Sequence, residues 1–399
     1  MTVNSRLTPS IFLPQIFLLL GLCMVWPTGG LLFAVLYVNQ KINICRSDIV
    51  LFIVAISFYL AFINSTKLAS SDTVHYLNWY NAIDRLQPLN SFFFYRGSYS
   101  ITEPLFAVIS IVINYVTMGS ETAYLFICTV IIYFMQFYAI YMVAEKFRVR
   151  SRYTIYIILM LAFANPLFIQ SVHALRQMLA TSFLMLAIAY RVVQGKNNWY
   201  LIVASFLTHM SVIAYLPIVV INTSYKSLTI KRVVSIGILV IVSILIYQNI
   251  GAMLESSSFE LVSAAGDKMI NSSNNNEMEL SLRGFYIYNI PFLLIALISL
   301  FKMRKKYSGV NVYYYLYFIT FFIVVLNPIS TEVSVRYAFY IFSFFPYLFI
   351  DFYLTKRNFA VVISMTAVLF TSIFFVLLAR DSNYADIFTI LFGIMPFFT

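Results

Sequence analysis

Acidic residues are scarce in this 399-residue chain: 15 Asp and Glu stand against 26 Lys and Arg, with three His and three Cys. Charged residues of both signs make up 10% of the sequence and hydrophobic residues 61%, where a soluble protein of this size carries roughly 25% charge. So little charge, with a mean hydropathy of +0.86, excludes an ordinary soluble globule. The cysteines, Cys23, Cys45 and Cys128, lie in or beside apolar segments, which excludes a disulfide framework and zinc-ligand spacing. His-Glu-x-x-His, a Gly-x-Ser-x-Gly elbow, a phosphate-cradling glycine loop and a dinucleotide fingerprint are all missing, and with them the enzyme classes they mark. No cofactor and no metal is expected. The net charge of +11 comes from bases in short loops between apolar runs. That is a membrane-topology signal and not a nucleic-acid-binding face.

What is present is a series of apolar runs of roughly spanning length, about 17–25 residues. They fall near 11–38 (interrupted at Pro27), 48–64, 122–143, 153–170, 174–193, 199–221, 233–248, 284–301, 312–327, 335–354 and 358–379, with shorter runs at 103–118 and 387–398. Open sheet edges are not tolerated in lipid. The fold class is therefore all-α, a polytopic integral membrane protein of about 11–13 transmembrane or re-entrant helices. The first run resembles a signal-peptide core, but only Arg6 precedes it and no small-residue cleavage site follows. It reads as an uncleaved membrane segment. There is no internal repeat and no soluble domain, so 1–399 reads as a single membrane domain.

Lys/Arg clusters orient the segments. Lys146, Arg148, Arg150 and Arg152 mark one cytoplasmic loop, and Lys302, Arg304, Lys305 and Lys306 another. The stretch 249–283 carries five acids against Lys268 and Arg283 and reads as extracytoplasmic. Counting from the basic clusters brings Arg176 and Arg336 to the same outer face. Loop 65–102 is assigned to that side too, although the parity of 103–118 leaves counting alone undecided. Arg191 and Lys196 precede 199–221, and Lys226, Lys231 and Arg232 follow it. A single crossing there cannot satisfy both clusters. Either one loop breaks the rule, or 199–221 is bent into two arms near His209, which irregular backbone allows where it is buried or lines a cavity.

Arg176 lies between apolar runs with no nearby acid. An arginine at membrane depth is expensive and cannot shed its proton, so it calls for an anionic partner or ligand. His173 stands three residues earlier and would share a face with it on one continuous helix; Gln177 follows it. Glu103 precedes Pro104, which suits a helix start, or it is a carboxylate held at a cavity edge. His209 stands among Ser205, Thr208 and Ser211 as a packing histidine or a base at the suspected bend. Asp72 and His75 open the polar loop. Tyr76, Trp79 and Tyr80 form an interfacial belt or a sugar platform, the belt being favoured. Lys67, Arg85 and Arg96 read as surface charges. Arg336 begins an apolar helix before Tyr337, with Glu332 one turn away as a local partner.

Taken in order, Asp72-Thr-Val-His-Tyr76, Glu103-Pro-Leu-Phe106, Leu175-Arg-Gln177, Thr208-His-Met-Ser211 and Ser334-Val-Arg-Tyr337 resemble the pattern of the EpsG family of bacterial exopolysaccharide proteins, which groups with Wzy-type O-antigen polymerases. The resemblance spans roughly 65–340, and Ile394-Met-Pro-Phe-Phe398 only loosely matches the family's aromatic-proline ending. It implies a metal-independent glycosyltransferase of the bacterial inner membrane. Such an enzyme joins undecaprenyl-diphosphate-linked repeat units of polysaccharide or lipopolysaccharide at the outer face. The partners implied are the lipid-linked oligosaccharide, membrane lipid, a flippase and a chain-length regulator. On this resemblance Arg176 and Arg336 clamp the diphosphate, and Asp72 or His209 takes the acceptor proton. Glu103, Gln177, Tyr76, His173 and Tyr337 contact substrate, Glu103 alternatively pairing with an arginine. An O-antigen ligase, a lipid-oligosaccharide flippase or transporter, and a sugar acyltransferase are the rival readings.

Overall fold

A backbone in hydrocarbon must satisfy its own N–H and C=O groups, and nearly every apolar run here does so as a helix. The computed structural model describes residues 13–41, 44–68, 72–86, 103–226, 228–255, 293, 297, 308–326, 331–355 and 359–394. Among the described residues there is no strand. The helices begin with α1 (Leu13–Val25), α2 (Pro27–Gln40), α3 (Arg46–Ser65), α4 (Asp72–Asn81), α5 (Pro104–Thr117) and α6 (Glu121–Lys146). They continue with α7 (Ser151–Ala162), α8 (Asn165–His173), α9 (Leu175–Gln194) and α10 (Trp199–Thr208). A 3-10 turn (Met210–Tyr215) leads to α11 (Leu216–Val220), α12 (Thr223–Lys226) and α13 (Ile230–Glu255). Last come α14 (Asn311–Leu326), α15 (Thr331–Thr355), α16 (Phe359–Leu378) and α17 (Ile387–Phe392). Four helices (α3, α6, α9 and α16) are long and apolar enough to cross a membrane; α7 with residues 167–173 of α8, bent by 65°, is a broken span or a re-entrant loop. The chain is an all-α, multi-pass membrane protein.

The chain packs as two units, Met1–Ala214 with Tyr353–Thr399, and Tyr215–Phe352. In the first, α3 packs on α6, α6 on α9, and α9 on α10, while α7 lies against α16. Small polar side chains let these helices approach, as is usual in membranes. Ser182 of α9 donates to the Ile132 carbonyl of α6 at 3.1 Å and accepts from Gln136 Nε2 at 3.1 Å. In the second unit, α13 packs on α14, and Tyr313 of α14 stacks on Tyr347 of α15 at 3.8 Å between ring centroids.

Two segments depart from the hydropathy reading, and a third takes the bent alternative that it offered. The run 153–170 is not one helix: α7 ends at Ala162 and α8 starts at Asn165, because Pro166 has no amide proton to continue a helix through that point. The run 199–221 breaks at His209, whose backbone is extended (φ −161°, ψ 129°). Loop 65–102 is not wholly irregular, since α4 lies within it and buries Tyr76, Leu77 and Tyr80 on one helical face. All of 284–301 but 293 and 297, most of 249–283, Arg96 and the terminal Met395-Pro-Phe-Phe398 lie outside the described residues.

Candidate active site

Glu103 stands at the N-cap of α5, with Pro104 at the first helical position. Its carboxylate does not cap the helix; it is drawn into the interior. Oε2 accepts from Arg176 Nη1 and Oε1 from His209 Nδ1. One carboxylate thus bridges a guanidinium and an imidazole. Glu103 is 4% exposed and Arg176 8% exposed, so the pair sits where solvent screens it little.

Three helix ends bring these groups together. Arg176 is in the first turn of α9, whose N-cap residue Ala174 makes no side-chain cap. The positive end of the helix dipole therefore adds to the guanidinium. His209 follows the last residue of α10, and Ser205 of that helix donates to the Ala180 carbonyl of α9 at 2.7 Å, fixing the two helices in register. Tyr76 of α4 completes the cluster. Its hydroxyl accepts from Arg176 Nε at 3.4 Å, and the guanidinium carbon lies 5.5 Å from its ring centroid. Phe106, one turn into α5, packs edge-on against the same ring at 5.9 Å. The motif Glu-Pro-Leu-Phe thereby supplies a carboxylate, a helix start and a ring that holds Tyr76.

The other candidates fall in different places. Gln177 is buried beside Arg176 in the first turn of α9. Asp72 is half-buried and begins α4, one turn before Tyr76; His75 is exposed. His173 does not share a helix with Arg176, because α8 ends at His173 and Ala174 breaks the run. It pairs instead with Lys67, Nε2 to Nζ at 2.6 Å. Tyr76, Trp79 and Tyr80 are all buried. They form no interfacial belt: Tyr80 stacks on Tyr124 of α6 at 4.2 Å. Arg336 is exposed on α15 in the second unit, and the Tyr337 ring there lies 5.7 Å from Tyr340.

Lys67 is the residue that sequence reasoning misplaced. It is 6% exposed, not a surface charge, and burial pushes its pKa down to about 8, with Asp381 opposing. The signal was there: a lone base at the end of an apolar run, the same feature that singles out Arg176.

Chemically, the cluster has a base candidate oriented by a carboxylate and a cation at a helix N-terminus. That set serves proton abstraction beside an anionic leaving group. No curated protein and no solved structure matches the chain. The model of the EpsG family matches residues 49–399, most of the chain and a span that contains all five motifs. The chain therefore belongs to the EpsG family, a Wzy-like family of polysaccharide polymerases.

Proposed function

We propose that this protein polymerises glycan repeat units carried on undecaprenyl diphosphate, at the outer face of the bacterial inner membrane. The observation that carries this reading is the Glu103 carboxylate shared between Arg176 and His209. Glu103 accepts a hydrogen bond from Nδ1–H, which leaves Nε2 as the ring nitrogen free to take a proton. His209 removes the proton from the acceptor sugar hydroxyl. That oxygen forms a bond to the anomeric carbon of the donor glycan as the bond from that carbon to the diphosphate oxygen breaks. The lipid diphosphate leaves with the electron pair, and Arg176 with the α9 N-terminus stabilises its charge. Tyr76 holds the guanidinium plane, and Gln177 binds a phosphate or sugar oxygen. Asp72 lies one turn from Tyr76 and positions the acceptor. A flippase supplies the repeat units, and a chain-length regulator acts on the product.

The test is gel analysis of surface glycan from a deletion strain complemented with His209→Gln at matched protein level. The expected result is collapse of the ladder to a single repeat unit. A normal ladder removes His209 from the chemistry, and complete absence of surface glycan points instead to a flippase or ligase.

A further inference from the structure

Ser171, Val172 and His173 form the end of α8, and each is held by a side chain from outside that helix. Asn64, in the last turn of α3, donates from Nδ2 to Ser171 Oγ at 2.7 Å. Thr73 of α4 donates to the Val172 carbonyl at 3.3 Å. Lys67, just past α3, bonds through Nζ to His173 Nε2 at 2.6 Å. This corner matters because only Ala174 (φ −111°, ψ 47°) separates α8 from α9, and the first turn of α9 carries Arg176. The helix takes a hydrogen bond from the corner itself, Met178 N–H donating to the Ala174 carbonyl at 2.9 Å. α4 is tied to the same place, and its Tyr76 accepts from Arg176 Nε at 3.4 Å. A tilt of the corner therefore moves the guanidinium relative to both Tyr76 and Glu103.

The Lys67–His173 contact differs in kind from the other two. Asn64 and Thr73 are neutral, whereas Lys67 places an ammonium where it is 6% exposed. Burying an ammonium is costly, and fold stability alone would be served as well by an apolar side chain of similar length. Its acidic neighbour Asp381 turns Oδ1 to Asn383, accepting from the backbone nitrogen at 3.0 Å and from Nδ2 at 2.8 Å. The Tyr384 ring lies on another side, its centroid 5.5 Å from Nζ. An ammonium carries only donors, so His173 accepts at Nε2 and the neutral ring keeps its proton on Nδ1. One tautomer and one ring orientation satisfy this bond. A charge-assisted bond is roughly twice as strong as a neutral one, so Lys67 fixes the corner more firmly than Asn64 or Thr73 can.

We infer that Lys67 is a positioning residue, which acts through His173 to fix the corner between α8 and α9 and so holds Arg176 where the leaving diphosphate develops its charge. The inference rests on the polymerase reading, and the experiment separates the two. Steady-state polymerisation is measured with full-length protein in nanodiscs, on undecaprenyl-diphosphate-linked repeats isolated from the deletion strain. Lys67→Met and His173→Leu should each lower kcat about 10–10²-fold, the effect of a small misplacement. KM should be unchanged, because Arg176 acts on the transition state. The double variant should be no slower than either single one. His173→Gln, whose amide oxygen still accepts from Lys67, should recover most of the rate lost in His173→Leu. Additive losses overturn the assignment, and so does an undiminished kcat per folded molecule with only a lower unfolding temperature. The parent protein supplies a check that needs no variant. Its histidine nitrogen NMR spectrum should show His173 as the Nδ1–H tautomer, and the Nε2–H tautomer overturns the bond itself. His209→Gln is assayed alongside. Full activity there overturns the polymerase mechanism, whereas an inactive His209→Gln beside a fully active Lys67→Met overturns only the positioning role.

Discussion

Glu103 and His209 lie 106 positions apart in sequence and share a hydrogen bond, Oε1 accepting from Nδ1. The same carboxylate reaches Arg176 through its other oxygen. Any change in its length or charge therefore acts on the base and the cation together. Glu103→Asp, one methylene shorter, keeps the charge but not the reach to both partners. Polymer formation from purified lipid-linked repeats should fall about 10²–10⁴-fold, the usual worth of a positioned general base, with protein level unchanged. Full activity in this variant would show that bridging is dispensable.

Glu103→Gln removes the only carboxylate that accepts from Arg176 in an ion pair among the described residues. Breaking one partner of a buried pair typically costs about 3–5 kcal/mol, whereas replacing both by apolar groups is often near neutral. Thermal unfolding in detergent should show Glu103→Gln well below the parent, with Glu103→Gln/Arg176→Met recovering most of the loss. Neither variant should polymerise. A double variant as unstable as the single one would mean that the pair does not hold these helix ends.

Arg176→Lys keeps the positive charge and loses the planar fork. The cost to the transition state should be about 2.7–4 kcal/mol, the range for removing one preorganised donor. Single-turnover rates on lipid-linked substrate would report it. An unchanged rate assigns the diphosphate to another group.

Tyr76 divides its support of Arg176 between a hydroxyl at 3.4 Å and a ring face at 5.5 Å. Tyr76→Phe keeps the ring and should retain most activity. Tyr76→Leu loses the cation–π contact, worth about 0.5–2 kcal/mol, and the edge contact with Phe106. The ratio of the two rates is the measurement, and equal loss in both would place the effect in the hydroxyl.

Lys67 gives a pH signature. Its folded-state pKa is lowered to about 8 from 10.5. Below pH 8 the folded and unfolded states both hold the proton, and the buried charge weighs fully on the fold. Between 8 and 10.5 the folded state sheds the proton first, so stability rises with pH, by about 3 kcal/mol across the window. In Lys67→Met this rise should vanish from the pH profile of unfolding; its persistence would assign the proton elsewhere.

Hydropathy, charge scarcity and loop bases were enough to determine an all-α membrane protein, and the helices α3, α6, α9 and α16 lie within a few residues of their apolar runs. The resemblance read from five ordered motifs agrees with the family match over residues 49–399. These signals are local: a window of sequence carries its own periodicity, its prolines and the cost of an unpaired charge. That is why Arg176 stood out and why a break near His209 was legible. The tertiary structure alone decided that Arg176 meets Glu103, 73 positions away, that the same carboxylate holds His209, and that Lys67 is buried against Tyr384. With no partner one turn away, each of these side chains finds its contacts on other elements. The match depends on how helix ends stack and in what register, which no single window encodes.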